Sequence, residues 1–441
     1  MKQLVLAATI LVAANGLAQD SPARLTLQAL TDEALGASPA VAGVEARRDM
    51  AEARLREARS MWLPRVDASA AFTESDNPVF VFGSLLEQGR FGQQHFDPAF
   101  LNDPDAMSNT RLGVNLRYTL FDQFRRYNAG RQAKNAVEQA ELGTEEARQR
   151  IRVEAITRFY GVLLAEQKRD VAAESVRSAE ADAKAMRDRL EQGLLVESDY
   201  LATDVQLASW QQRLIEAEGD VAIARAALAT LLQRPLDQTL ALEGAIPTRP
   251  FPTSNLSEDI ATALERRAEV RIAASAAANA ELQIGTARGS LLPRADAFAS
   301  WGASRGNPDH AIGVVLGVDL FDGAKYARIA ESRAALNGAR AEEQMIRDRV
   351  TMEVVTAWHR VQTARERVDV ATKATERAAA ASRIIRDRYE NGLTTITEQL
   401  RAQTALLAAR LDLLAARYDY AVGHAELLRA TGGLQSVEAF L

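Results

Sequence analysis

Of the side chains in this 441-residue chain, the four histidines are best suited to metal binding or proton transfer, and His95, His310, His359 and His424 share no common spacing. A metal site built on helices needs ligands at fixed intervals, so four unrelated surface or core histidines is the plainer reading. No cysteine is present, which rules out thiolate metal ligation, disulfides and acylation behind a leader. No glycine-rich phosphate loop follows a strand, and no serine occupies a G-x-S-x-G elbow. No nucleophile, base and acid come together, so the chain reads as no enzyme, with no catalytic residue, metal or cofactor. What remains is electrostatic. Glu398 and Arg401 stand three apart on one helical face and can pair, while Asp199 sits early in another helix, where an acid suits the N-terminal dipole.

The elements that carry these charges are long helices. From Leu400, the residues Thr404, Leu407, Leu411, Leu414, Tyr418, Ala421, Ala425 and Leu428 recur at steps of four and three, and Ala402, Leu406, Ala409 and Leu413 start a second seam beside them. A helix with two seams has neighbours on two sides and builds a wall. The turn RYENGLTTITEQL around Gly392 repeats an earlier one, RLEQGLLVESDYL around Gly193, so the chain is an internal duplication. The repeat offset is 199 at these glycines and 200 between Asp122 and Asp322, but 229 between Pro64 and Pro293. An extra segment of 29 residues therefore lies in the first half, between Glu74 and Asn109.

Prolines mark the boundaries. None occurs from Asp105 to Arg234 or from Asp309 onward, and Pro235, Pro247, Pro250 and Pro252 cluster between the halves as a linker. Arms of the length of 124–190 would extend about 100 Å as helix, too long for a compact globule. Four segments alternate instead of following the helical period. Leu112, Val114, Leu116, Tyr118 and Leu120 face one way and Arg111, Gly113, Asn115, Arg117 and Thr119 the other; Ile312, Val314, Leu316, Val318 and Leu320 repeat the pattern, with fainter copies at Val66–Phe72 and Ala295–Trp301. Trp301 and Tyr118, near strand ends, could belong to an aromatic girdle.

Residues 1–18 have the layout of a cleaved export signal. No later apolar run is long enough for a membrane helix, so any span must be a closed barrel, and strands of about ten residues with one apolar face suit one. Four strands cannot close a lumen, so several chains must share it. A half-buried sheet in a soluble protein has the same period. The net charge of −6 leaves no basic stripe for nucleic acid.

Taken together, the duplication, LPR opening the first strand of each half, LFD closing the second, and glycine tips followed six residues later by Asp199 or Glu398 resemble the TolC-like outer-membrane efflux proteins. The resemblance implies a mixed membrane β-barrel and α-helical barrel: a homotrimer with four strands per chain in a twelve-stranded barrel, continued by a periplasmic tube of helical hairpins. Such a protein sits among outer-membrane lipid in a Gram-negative bacterium. It serves as the exit duct of a tripartite efflux pump or type I secretion system, joined by a periplasmic adaptor to an inner-membrane transporter. The alternative, a soluble periplasmic coiled-coil adaptor or scaffold, leaves the strands idle.

The expected organisation is a signal peptide (1–18) and a first repeat (19–232) with strands near 65–74 and 110–121 and a hairpin over 124–232. A linker (233–255) leads to a second repeat (256–432) with strands near 294–304 and 311–321 and a hairpin over 324–432, then a tail (433–441). The resemblance also places adaptor-docking tips at Gly193, Leu194, Gly392 and Leu393, and a pore constriction at Tyr389, Glu398 and Arg401, with Asp199 bracing the neighbouring hairpin. The ring is mixed rather than purely acidic, because Arg401 stands where many relatives carry another acid. The extra segment reads as an extracellular loop, with a plug as the alternative.

Overall fold

The two proline-free runs become the two long hairpins. The structure, a computed structural model, describes residues 24–440 apart from 194–195, 237, 239 and 253; the expected signal peptide and Leu194 lie outside the described residues. In the first half α1 (Leu27–Ala37) and α2 (Pro39–Ser60) lead into β1 (Arg65–Ser75). The extra segment follows with α3 (Pro78–Glu87) and α4 (Pro98–Asn102), then β2 (Met107–Phe121), α5 (Arg125–Glu191) and α6 (Glu197–Leu231). The second half gives α7 (Leu256–Arg266), α8 (Ala268–Gly289), β3 (Arg294–Ser304), β4 (Asn307–Gly317), α9 (Gly323–Glu390) and α10 (Ile396–Ala430). Shifted by 229, the bounds of α1, α2 and β1 become those of α7, α8 and β3; shifted by 199, those of α6 become those of α10. The duplication therefore reaches the helices ahead of each LPR as well.

Sequence chemistry sets the ends of these elements. Thr26, Ser38, Asn255 and Thr395 each accept a hydrogen bond from a first-turn N–H of their helix. At the end of α9, Gly392 N–H reaches the Tyr389 carbonyl (2.9 Å) and Leu393 N–H the Arg388 carbonyl (2.8 Å), with Gly392 at φ +71°, the Schellman closure.

The four strands form one antiparallel sheet in chain order. Its register puts Arg111, Gly113, Asn115 and Arg117 on one face with Ser304, Gly302, Ser300 and Phe298, and Leu112, Val114 and Leu116 on the other with Ala303, Trp301 and Ala299. The second face is apolar and bare: Ile312, Val314, Leu316, Phe72 and Trp301 are all exposed. The sheet has two unpaired edges, β1 and β4.

One expectation needs correction. The fourth strand runs over Asn307–Gly317, not 311–321. Arg305 (φ 48°) and Gly306 (φ 89°) make a two-residue turn with both φ positive, so pairing begins at Ser304↔Asn307 and ends at Arg294↔Gly317, where β3 starts behind Pro293. Beyond Gly317 no strand of this chain is left to pair. The linker packs onto the body of the chain: Leu240, Ile246 and Phe251 are buried in the main core and Leu25 bridges to Leu242. The tail likewise returns to that core through Leu434, Val437 and Phe440, and the Tyr160 hydroxyl donates to the Phe440 carbonyl (2.9 Å).

Candidate functional site

The far end of the helical hairpins brings together residues that lie about two hundred apart in the chain. Thr395 caps α10 and its hydroxyl accepts from the Glu398 N–H (3.4 Å), which holds Glu398 in the first turn. One turn on, Arg401 Nη1 meets Glu398 Oε1 at 3.0 Å, with both side chains at least half exposed. Asp199 holds the matching place in α6, in the first turn with Glu197. Tyr389, three residues before Gly392, donates its hydroxyl to Met186 Sδ of α5 (3.2 Å) and so links the second hairpin to the first. Burial raises its phenol above the ordinary value; Arg189 opposes that rise, and the Asp199 and Asp182 carboxylates add to it.

The stronger tie between hairpins is one that sequence reasoning missed. Gln403 Nε2 donates to Asp182 Oδ2 at 2.8 Å across the α10–α5 interface, and Arg410 meets Glu174 (3.1 Å) two turns further on. Between them Trp210, Leu407, Val176 and Ala179 form a small core. A half-buried hydrogen bond to a carboxylate contributes about 1.5–3 kcal/mol, against about 0.3–0.5 kcal/mol for an exposed helical pair such as Glu398–Arg401. Separating α10 from α5 therefore works chiefly against Gln403–Asp182. The available signal was polar residues at seam spacing: Gln399, Gln403 and Leu407 recur every four residues, and both glutamines are buried.

The tips themselves are bare. Gly193 and Gly392 both adopt positive φ with open space around the Cα, and Leu393 is 67% exposed. The histidines remain apart: His95 lies in the extra segment, where Nδ1 accepts from Gly92 N–H, His310 on β4, His359 on α9, and His424 on α10 stacked against Phe251 (4.1 Å between ring centroids). Tyr118 and Trp301 lie on the apolar face of the sheet, and Arg126 approaches the Tyr118 ring (5.8 Å).

A sheet with one lipid-compatible face, joined at one end to helices about 100 Å long, defines a class: outer-membrane channel proteins that continue into the periplasm as a helical tube. No helix among the described residues is long and apolar enough to cross a membrane. The chain belongs to the outer membrane efflux protein family, whose model matches residues 30–233 and 260–433. It is similar to the outer membrane efflux protein BepC of Brucella suis biovar 1, with 26% identity over 344 residues covering 74% of this chain and 73% of that one. The alkaline protease secretion protein AprF of Pseudomonas aeruginosa is 23% identical over 74% of this chain and 70% of its own. The same fold occurs in the outer membrane protein VceC of Vibrio cholerae (TM-score 0.77, 20% identity, 92% of this chain and 96% of that one). It occurs again in the MtrE outer membrane channel of Neisseria gonorrhoeae (TM-score 0.75, 18% identity, 93% and 90%).

Proposed function

We propose that three copies of this chain close one twelve-stranded barrel and one helical tube, and that the assembly is the exit duct of a tripartite efflux pump or type I secretion system. The observation that carries this is the sheet: four strands, one bare apolar face and two unpaired edges. Unpaired edges in lipid leave backbone groups without partners, and closure by further copies of the same chain removes every edge at once. Mass measurement in detergent tests it. A trimer is expected, and a stable monomer overturns the reading.

The tube end is the candidate gate. Tyr389–Met186 and Gln403–Asp182 hold the two hairpins of one chain together, while Glu398 with Arg401 sets the charge of the ring that three copies would form. Each Arg401 offsets one carboxylate and weakens the cation-binding field that a purely acidic ring would focus. In planar bilayers Arg401→Asp is expected to raise cation selectivity and block by trivalent cations, and Glu398→Ala to lower both. Unchanged reversal potentials would place the constriction elsewhere. Docking of a periplasmic adaptor, linked to an inner-membrane transporter, falls to the hairpin tips at Gly193, Leu194, Gly392 and Leu393. Leu393→Asp should leave assembly intact and abolish export.

A further inference from the structure

The extra segment, 29 residues by the repeat offset, has its own small aromatic core: Phe91 packs edge-on against Phe82 (4.9 Å) and Phe96 (5.1 Å). Its position is fixed by polar contacts at the end of α3. Glu87 Oε2 accepts from Asn109 Nδ2 (3.0 Å) and Ser304 Oγ (3.1 Å), and Glu87 Oε1 lies 3.3 Å from Arg111 Nη1. The Glu87 carbonyl accepts from Asn307 Nδ2 (2.7 Å), and the neighbouring Gln88 donates to Asn109 Oδ1 (3.1 Å). Asn109, Arg111 and Ser304 share the polar face of the sheet by register, the face that a barrel turns inward. The segment is therefore tied to the lumen side of the strand ends.

The dimensions fit a strap. α3 starts three residues past the end of β1 and finishes against the start of β4, three strand spacings away. Spacings of about 4.8 Å make that roughly 14 Å, which a ten-residue helix at about 1.5 Å per residue spans. Twelve strands at that spacing, tilted about 40°, enclose a ring roughly 24 Å across, and a helix with its side chains is about 10–12 Å thick. Three such helices crossing the ring leave a bore far narrower than the barrel beneath. Val79 (81% exposed) and Leu86 (50% exposed) are the apolar side chains that α3 turns away from its own small core.

We propose that the extra segment is a lid across the extracellular mouth of the barrel, latched on the lumen wall by Glu87, so that the duct closes at both ends. This rests on the trimeric-barrel reading above. The cysteine-free chain allows a background-free test on intact cells with a bulky maleimide-polyethylene glycol. Asn115→Cys places a thiol on the lumen face below the lid, and Val314→Cys places one on the lipid face. The thiol of Asn115→Cys should react slowly in the otherwise unaltered chain. It should react roughly tenfold faster or more once Glu87→Ala, or a Gly-Ser turn in place of 78–106, opens the mouth, since the open fraction sets the rate. Equal rates in all three backgrounds, with Val314→Cys silent, overturn the lid. Val314→Cys reacting as fast as Asn115→Cys overturns the barrel reading itself, which separates the two failures. Should the deletion not assemble, Glu87→Ala alone decides.

Discussion

The β2–α5 joint and the β4–α9 joint are the same structure twice, and only the first is covered. In the first, Gln123 and Phe124 both take left-handed φ (62° and 66°), the Gln123 amide donates to the Leu292 carbonyl at the α8–β3 turn, and Arg126 stacks on Trp62 at 4.3 Å. In the second, Asp322 caps α9, while Leu320 and Phe321 are 94% and 85% exposed. Arg126 approaches the Met61 carbonyl and Lys325 that of Ser290; since residues 61 and 290 are equivalent by the repeat, so are Arg126 and Lys325. The first joint is thus one residue longer, which accounts for its two strained positions.

What covers the first joint is α8 and β3, and their repeat equivalents are α2 and β1. In the proposed trimer, those of another copy would cover the second joint. The helical seam shows what that contact looks like. Between α5 and α8 it is a polar ladder, Asn128–Thr286 (3.1 Å), Asn135–Asn279 (2.7 Å) and Gln139–Ser275 (3.0 Å). The equivalent places on α9 are Ala327, Ala334 and Gly338, and on α2 they are Glu57, Met50 and Ala46. Met50, 56% exposed, has small residues to pack on. The comparison teaches that the internal seam is set by directed hydrogen bonds, whereas the seam of the proposed trimer would be set by size.

The sharpest break of this comparison is Ala334→Trp. Overfilling the Met50 site costs about 1–3 kcal/mol at each seam, three times per assembly, so trimers should give way to monomers in detergent mass measurements; undiminished trimer would mean the seams are not equivalent. Next comes strand register. Arg111 faces Ser304 as a non-hydrogen-bonded pair, since Arg305 N–H reaches the Thr110 carbonyl, a geometry that admits a disulfide. Its equivalent between copies is Ala311 against Ser75. Ala311→Cys with Ser75→Cys should give covalent trimers on oxidation, and Ala311→Cys with Thr73→Cys should not.

A third test uses acid. His424 is buried against Phe251 and burial lowers its pKa to about 4, whereas its repeat equivalent is Arg225, paired with Glu166 at 2.6 Å. The native form is neutral, so its stability is complete above the unfolded value near 6.5 and drains away as pH falls toward 4. Between pH 7.5 and 4.5 the loss is roughly 2–3 kcal/mol, and His424→Phe should flatten that slope in denaturant titrations. At the first joint, a Cβ on Gly289 would lie 2.2 Å from the Gln123 carbonyl oxygen. Gly289→Ala should therefore cost about 1–3 kcal/mol, read as a lowered Tm, while Ser60→Gly at the equivalent place costs no more than the roughly 1 kcal/mol of any helical glycine. The smallest effect is at the end of α6, where Gln233 (φ 53°) occupies the left-handed cap position that Gly432 (φ 73°) holds after α10. Gln233→Gly should stabilise by about 0.5–1 kcal/mol; no gain would mean that the Gln233 amide bond to the Thr230 carbonyl (3.0 Å) offsets the strain.

Periodicity in the sequence was enough to give the two long hairpins, the existence of four strands, their faces and the duplication, because side-chain spacing along a segment reports directly which side is buried. The offset between LPR and LFD located the extra segment to within a few residues of Ser75 and Met107 for the same local reason. Glu398 and Arg401, three apart, were legible as a pair. What the sequence could not specify are contacts between segments some two hundred residues apart: Gln403 with Asp182, Tyr389 with Met186, and the end of β4 at the last residue that β3 can pair. Nor could it say that the end of α3 is tied to the polar face of the sheet, since an apolar ten-residue helix fits a free outward loop as well. Those choices depend on how helices and strands come to lie beside one another in three dimensions, and only the packed structure holds the Glu87 carboxylate against Asn109, Arg111 and Ser304.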